Sequence, residues 1–160
     1  MINKKSNRRV LREKALQVLY AFRMNNEGLE KIIAAMLIEI DNDTDKTFCR
    51  ELILKVLANQ KELEATVKEK VANWEMDRIA IIDKILLQIG IAEILYFPDI
   101  PPKVSINEAI EIAKDYSTAN SGKFINGILD AILSDLKNSG KLNKVGRGLI
   151  EDSIPKKPSK

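Results

Sequence analysis

Residues 103–133, KVSINEAIEIAKDYSTANSGKFINGILDAIL, decide the fold because they contain two helical patterns joined by a short polar turn. Ser105 and Glu108 have the S-x-x-E spacing of a capping box, which predicts a helix that starts there. Asn120 or Ser121 is the predicted cap of the next helix. The apolar residues recur at helical intervals, at Ile106, Ala109, Ile110, Ala113 and Tyr116 and then at Phe124, Ile125, Ile128, Ile132 and Leu136.

Helical spacing also dominates the rest of the chain, and strictly alternating strand patterns are missing. The period continues from a start at Thr44 or Asp45 to Val71, which predicts one long helix. Residues 79–97 are apolar almost all round, as is typical of a helix buried between others. The predicted outward positions of this helix are Asp83, Lys84, Gln88 and Glu93. At Gly127, within the last helical pattern, we expect close approach of another helix. The sequence therefore predicts an all-α fold.

The composition is that of a globular protein, with 45% hydrophobic and 31% charged residues in a chain of 160. After Asn138 the helical pattern ends, and glycine, proline and basic residues become frequent. We predict one helical domain over residues 1–138, with lobes of about 1–73 and 74–138, and a disordered basic tail over 139–160.

Several kinds of catalytic site are excluded by composition. Histidine is absent and Cys49 is the only cysteine, which removes histidine-based triads, Cys–His dyads and the usual zinc sites. We interpret Cys49 as an inert core residue of a protein from a reducing compartment. The sequence therefore predicts a binding protein, not an enzyme, with no cofactor. No apolar run reaches membrane-spanning length, and no signal peptide is recognisable, so we expect a cytoplasmic protein with no membrane partner.

Positive charge is concentrated at the beginning of the first helical pattern. Arg8, Arg9 and Arg12 flank the apolar stripe of this helix, which places them at the rim of the core. Because arginines are fixed on a helix start, the pattern favours contact with nucleic acid over a solvated arm.

Four segments of the sequence together resemble the NusB family of bacterial transcription antitermination proteins. The segments are RRVLREKALQVLY at residues 8–20, IDKILLQIGIAEIL at 82–95, PPKVSINEAIEIAK at 101–114 and SGKFINGILD at 121–130. The resemblance implies an all-α fold of two packed three-helix bundles. It also implies binding of single-stranded boxA RNA from ribosomal RNA leader transcripts, jointly with NusE, a small-subunit ribosomal protein. The family acts in a complex on elongating RNA polymerase.

The resemblance also assigns roles to individual residues. The implied RNA contacts are Arg8, Arg9, Arg12, Asn120 and Phe124. The implied contacts with NusE are Tyr20 and Asp83. The sequence departs from the family at Val10, where some relatives carry arginine, at Gln88, where arginine is common, and at Asn120, where some members carry an acid. For Phe124, helical spacing favours a core position, and exposure of its edge to a base is the alternative.

Two other functions are compatible with a helical fold. One is a protein–protein interaction module that binds no RNA, and the other is an accessory RNA-binding module of an RNA-modifying system. A DNA-binding helix-turn-helix is less favoured, because no exposed recognition helix is recognisable. The resemblance leaves open whether the unbound protein is a monomer or a homodimer.

Overall fold

A computed structural model describes residues 6–71 and 78–150, which form seven α-helices and one short 3₁₀ helix, with no strand in these two ranges. The helices are α1 (Asn7–Asn25), α2 (Leu29–Met36), α3 (Asp43–Ala58), α4 (Gln60–Lys70), α5 (Ile81–Tyr96), α6 (Pro102–Tyr116) and α7 (Ala119–Asn138), and the 3₁₀ helix is Gly146–Leu149. The predicted all-α fold is confirmed. None of the described helices is long and apolar enough to cross a membrane.

The chain divides into two compact units, and the boundary lies between Gln60 and Lys61. This boundary precedes the one that the sequence predicted near residue 73. The reason is that the predicted long third helix is interrupted. Asn59 leaves helical geometry (φ −115°, ψ 19°), and its Nδ2 donates to the carbonyl oxygen of Lys55 at 2.8 Å. The prediction of one continuous helix to Val71 is therefore wrong.

The first unit contains α1, α2 and α3, and α1 packs against both of the others. The Sγ of Cys49 on α3 donates to the carbonyl oxygen of Leu11 on α1 at 3.4 Å. Burial raises the pKa of the Cys49 thiol to about 11. The thiol is therefore buried and protonated, and its predicted core role is confirmed.

In the second unit, α5, α6 and α7 pack on one another, and α5 is buried on nearly every side. Asp83, Gln88 and Glu93 were predicted to face outward, but their exposed fractions are 7%, 4% and 1%. Glu93 is buried with a partner, because its Oε1 accepts a hydrogen bond from Ser105 Oγ at 3.0 Å. The prediction of three outward polar positions is wrong, since all three residues are buried.

The helix that contains Ser105 begins earlier than the sequence predicted. Its first residue is Pro102, a favourable first position because proline has no amide donor to leave unpaired. Ser105 is therefore inside α6, and the predicted Ser105–Glu108 capping box is wrong.

Close helix approach occurs at a different glycine from the one predicted. Gly127 is exposed, and a Cβ added there would meet nothing within 4 Å, so that prediction is wrong. At Gly90 on α5, an added Cβ would lie 2.8 Å from Leu129 Cδ1 on α7. Gly90 therefore permits the close packing of α5 and α7.

Residues 142–150, which we call the C-terminal strap, lie against the end of α5. The Nζ of Lys144 donates to the carbonyl oxygens of Glu93 and Phe97 at 3.1 and 2.9 Å. The Val145 amide donates to the carbonyl oxygen of Pro98 at 3.0 Å, and a Cβ on Gly148 would collide with that same oxygen. The predicted disorder is wrong for the strap, because these polar contacts hold the segment although Val145, Leu149 and Ile150 are exposed. Residues 151–160 lie outside the described ranges.

Candidate nucleic-acid interface

The first candidate surface lies at the beginning of α1. Ser6 is the N-cap, and its Oγ accepts from the Arg9 amide at 3.1 Å, so the helix begins at Asn7. Arg8 and Arg9 are thereby placed in the first turn, where unpaired backbone amides add positive potential. Arg8 is exposed and Arg9 is half-buried. The predicted rim position is confirmed for these two residues.

The guanidinium of Arg8 lies over an aromatic ring. Its central carbon is 3.8 Å from the centroid of Phe48 on α3, and the corresponding carbon of Arg12 is 5.5 Å from it. Across residues 6–71 and 78–150, no carboxylate forms an ion pair with Arg8. Helical spacing does not distinguish Phe48 from other core residues. Its position four residues before Leu52 does place it on the apolar face of α3, which indicates burial but not a contact with arginine.

Arg12 is not at the rim. Only 3% of it is exposed, so its predicted position is wrong. Arg12 follows Arg8 by one helical turn, and its guanidinium is directed toward the same Phe48 ring. The aliphatic part of its side chain is buried. Tyr20, further along α1, is exposed, as expected for a residue that contacts a partner protein.

The second candidate surface is the turn between α6 and α7. Ser121 Oγ donates to Asp83 Oδ2 at 2.8 Å, and the hydroxyls of Ser117 and Thr118 lie 2.9 and 3.0 Å from that Oγ. A hydroxyl has only one hydrogen, so Ser117 and Thr118 donate to Ser121. Thr118 is the N-cap of α7 and forms a capping box with Ser121, so the predicted cap at Asn120 or Ser121 is wrong.

The remaining predicted site residues lie on or beneath this turn. Asn120 is exposed and Phe124 is half-buried, so Phe124 retains some solvent-exposed surface. Asp83 is buried beneath Ser121, and its Oδ1 has no hydrogen-bond partner in the described part of the chain. Asp83 therefore supports the turn from inside and presents little surface of its own.

Neither surface has the features of a catalytic centre. The described residues contain no group of three or more histidine, cysteine, aspartate or glutamate side chains that could hold a metal ion. The two surfaces present arginine side chains at a helix start and an ordered polar turn beside the half-buried Phe124. Such groups suit recognition of a polyanion with unpaired bases, and they define an all-α binding protein.

Comparison with known proteins identifies the family. The NusB family model matches residues 9–134. The chain is 47% identical to the transcription antitermination protein NusB of Chloroherpeton thalassium, over 91% of this chain and 70% of that protein. It is 44% identical to the protein of the same name from Salinibacter ruber, over 91% of this chain and 92% of that one. The chain belongs to the NusB family.

Solved structures agree with this assignment. Crystalline T. maritima NusB superposes with a TM-score of 0.76 at 34% identity, over 82% of this chain and 94% of that one. A chain from the crystal structure of antitermination factors NusB and NusE in complex with dsRNA has the same fold, with a TM-score of 0.73 at 22% identity, over 84% of this chain and 99% of that one.

Proposed function

We propose that this protein is a transcription antitermination factor that binds boxA RNA of ribosomal RNA leader transcripts together with NusE. It would link this RNA to elongating RNA polymerase in the cytoplasm, as an adaptor with no catalytic step of its own. Membership of the NusB family and the names of the curated relatives support this role. The structural observation that best supports RNA binding is the exposed Arg8 at the beginning of α1, which has no carboxylate partner in the described ranges.

The predicted residues divide into surface contacts and internal supports. Arg8 and Arg9 would donate to RNA phosphates, because a planar guanidinium fork matches phosphate oxygens. Asn120 would contact base edges, and the exposed part of Phe124 would contact a base. Tyr20 would contact NusE.

Two of the predicted contacts are buried, which changes the role that we propose for them. Arg12 would act on RNA through its neighbours on α1, because little of its own surface is exposed. Asp83 would act on partner binding through Ser121, by holding the α6–α7 turn in place.

The decisive experiment titrates boxA RNA, and a scrambled RNA of equal composition, into the protein with and without NusE. We expect NusE to tighten binding of boxA RNA but not of the scrambled RNA. Equal affinity for both RNAs in the presence of NusE would contradict the proposal. Binding of NusE with no effect of either RNA would favour the protein–protein module instead.

A matched pair of variants tests the surface at the start of α1. Each phosphate contact with single-stranded RNA contributes about 0.7 to the slope of log K against log salt, so Arg8→Ala should reduce that slope by about this amount. Arg23→Ala is the control, because Arg23 is exposed on the same helix, about 22 Å away at 1.5 Å per residue. It should leave the slope unchanged, and equal slopes for both variants would remove Arg8 from the RNA surface.

A further inference from the structure

Core packing alone does not explain the position of the Phe48 side chain. The ring is 5% exposed, yet one of its faces is covered by the guanidinium of an exposed arginine, Arg8, at 3.8 Å. We propose that Phe48 is a positioning residue for RNA binding, whose ring holds the Arg8 guanidinium in the orientation that meets a phosphate. This inference rests on the proposed RNA-binding function.

The contact leaves the hydrogen-bonding groups of Arg8 available. A guanidinium that lies over a ring uses its flat face, whereas its N–H donors point outward in its own plane. Arg50 in the same unit shows the alternative. Its two terminal nitrogens donate to both oxygens of Glu30 at 2.8 and 2.7 Å, so its fork is already occupied. In the described ranges no residue occupies the fork of Arg8 in this way.

The ring itself is held firmly. Phe48 lies on α3, whose start is capped by Asn42 through a 3.0 Å hydrogen bond from the Asp45 amide. The next residue, Cys49, is hydrogen-bonded to Leu11 on α1, one turn from Arg8. The ring and the start of α1 are therefore kept in register. An arginine held there loses less side-chain freedom when it binds phosphate, and the amides at the beginning of α1 attract the same anion.

A double-mutant cycle with boxA RNA and NusE tests the inference. Arg8→Ala should weaken binding about tenfold, and Phe48→Leu, which keeps an apolar side chain but removes the ring, about two- to fivefold. In the Arg8→Ala background, Phe48→Leu should have a much smaller effect on RNA affinity, limited to what it changes through Arg12, whose central guanidinium carbon lies 5.5 Å from the same ring. Phe97→Leu is the control, because it makes the same substitution at a similarly buried phenylalanine of the second unit, and it should leave RNA affinity unchanged.

An NMR measurement without RNA provides a second readout. Phe48→Leu should increase the mobility of the Arg8 side chain and remove the ring-current shift of its protons. Replacement of Phe48 by trifluorophenylalanine keeps the packing but weakens the negative face of the ring, so it should weaken RNA binding without unfolding the protein.

The outcomes separate the inference from the proposed function. Equal effects of Phe48→Leu in both backgrounds, or unchanged mobility of Arg8, would overturn the inference while RNA binding by the wild-type protein stands. An Arg8→Ala variant with wild-type affinity would also overturn it. If the wild-type protein shows no preference for boxA RNA, the proposed function fails, and the inference fails with it.

Discussion

Lys144→Met removes the amine that attaches the C-terminal strap to the end of α5, and it keeps the length and apolar character of the side chain. In the wild-type protein this amine donates to two carbonyl oxygens, of Glu93 and Phe97. Burial lowers its pKa from the ordinary 10.5 to about 8, and outweighs the opposite effect of the Glu93 and Asp99 carboxylates. The stability of the wild-type protein should therefore depend on pH in a way that the variant does not.

The sign and size of this dependence follow from the two pKa values. The folded protein releases the Lys144 proton near pH 8, whereas the unfolded chain holds it to about pH 10.5, so the unfolded chain binds more protons between these values. The Lys144 contribution to the free energy of unfolding therefore rises with pH across that window, by roughly 3 kcal/mol in all. Between about pH 7 and about pH 9.5 the rise is about 2 kcal/mol. The neutral amine keeps two N–H donors, so both hydrogen bonds can persist.

Urea unfolding of both proteins at about pH 7 and about pH 9.5 measures the effect. The difference between the two free energies of unfolding, wild type minus Lys144→Met, should be about 2 kcal/mol larger at the higher pH. Because both proteins share all other titrating groups, the effects of those groups cancel in this difference. Lys141→Met is the control, because Lys141 is exposed immediately before the strap, and it should show no such difference. A pH-independent difference for Lys144→Met would mean that the amine is solvated and the strap is not docked.

Three further predictions concern single residues. Gly127→Ala should raise the free energy of unfolding by roughly 1 kcal/mol, because Gly127 is an exposed mid-helix glycine with open space around it; a loss of stability would contradict that placement. Ser121→Ala should lower the free energy of unfolding by about 1–3 kcal/mol, since it removes the donor to the buried Asp83 carboxylate; unchanged stability in urea would show that Asp83 has another donor. Cys49 should resist thiol reagents at about pH 8 until the protein unfolds, because the thiol is buried and its pKa is raised to about 11; rapid labelling of native protein would refute this.

Most helices were predictable because their signal is local. Apolar residues at intervals of three and four indicate which face of a helix is buried, and this was enough for α1, α6 and α7. The exposed Arg8 was predictable for a similar reason, since its angle around α1 follows from its spacing to the apolar stripe. Its companion Arg12 lies at the edge of that stripe, where spacing alone does not decide between the rim and the interior.

Predictions failed where a second element decides the environment of a residue. Glu93 has the character of a surface residue, and its burial depends on partners from other elements, such as Ser105 on α6, whose Oγ donates to Glu93 Oε1. The strap is attached through the amine of Lys144 and the backbone amide of Val145, which are polar groups that a hydrophobic pattern does not record. Phe48 lies in a helical stripe like any core residue, and nothing in the stripe indicates that Arg8 covers its face.

By itself, the sequence determined the helical class of this protein, its membership of the NusB family and the arginines at the start of α1, because each is recognised from helical spacing or from short sequence motifs. Only the tertiary structure decided that Arg8 lies over Phe48, that Asp83 supports the α6–α7 turn, and that Lys144 joins the strap to α5. These contacts join residues about 40 to 50 positions apart. Helical periodicity carries no information about such distances, since it repeats every few residues and is the same whatever packs against it.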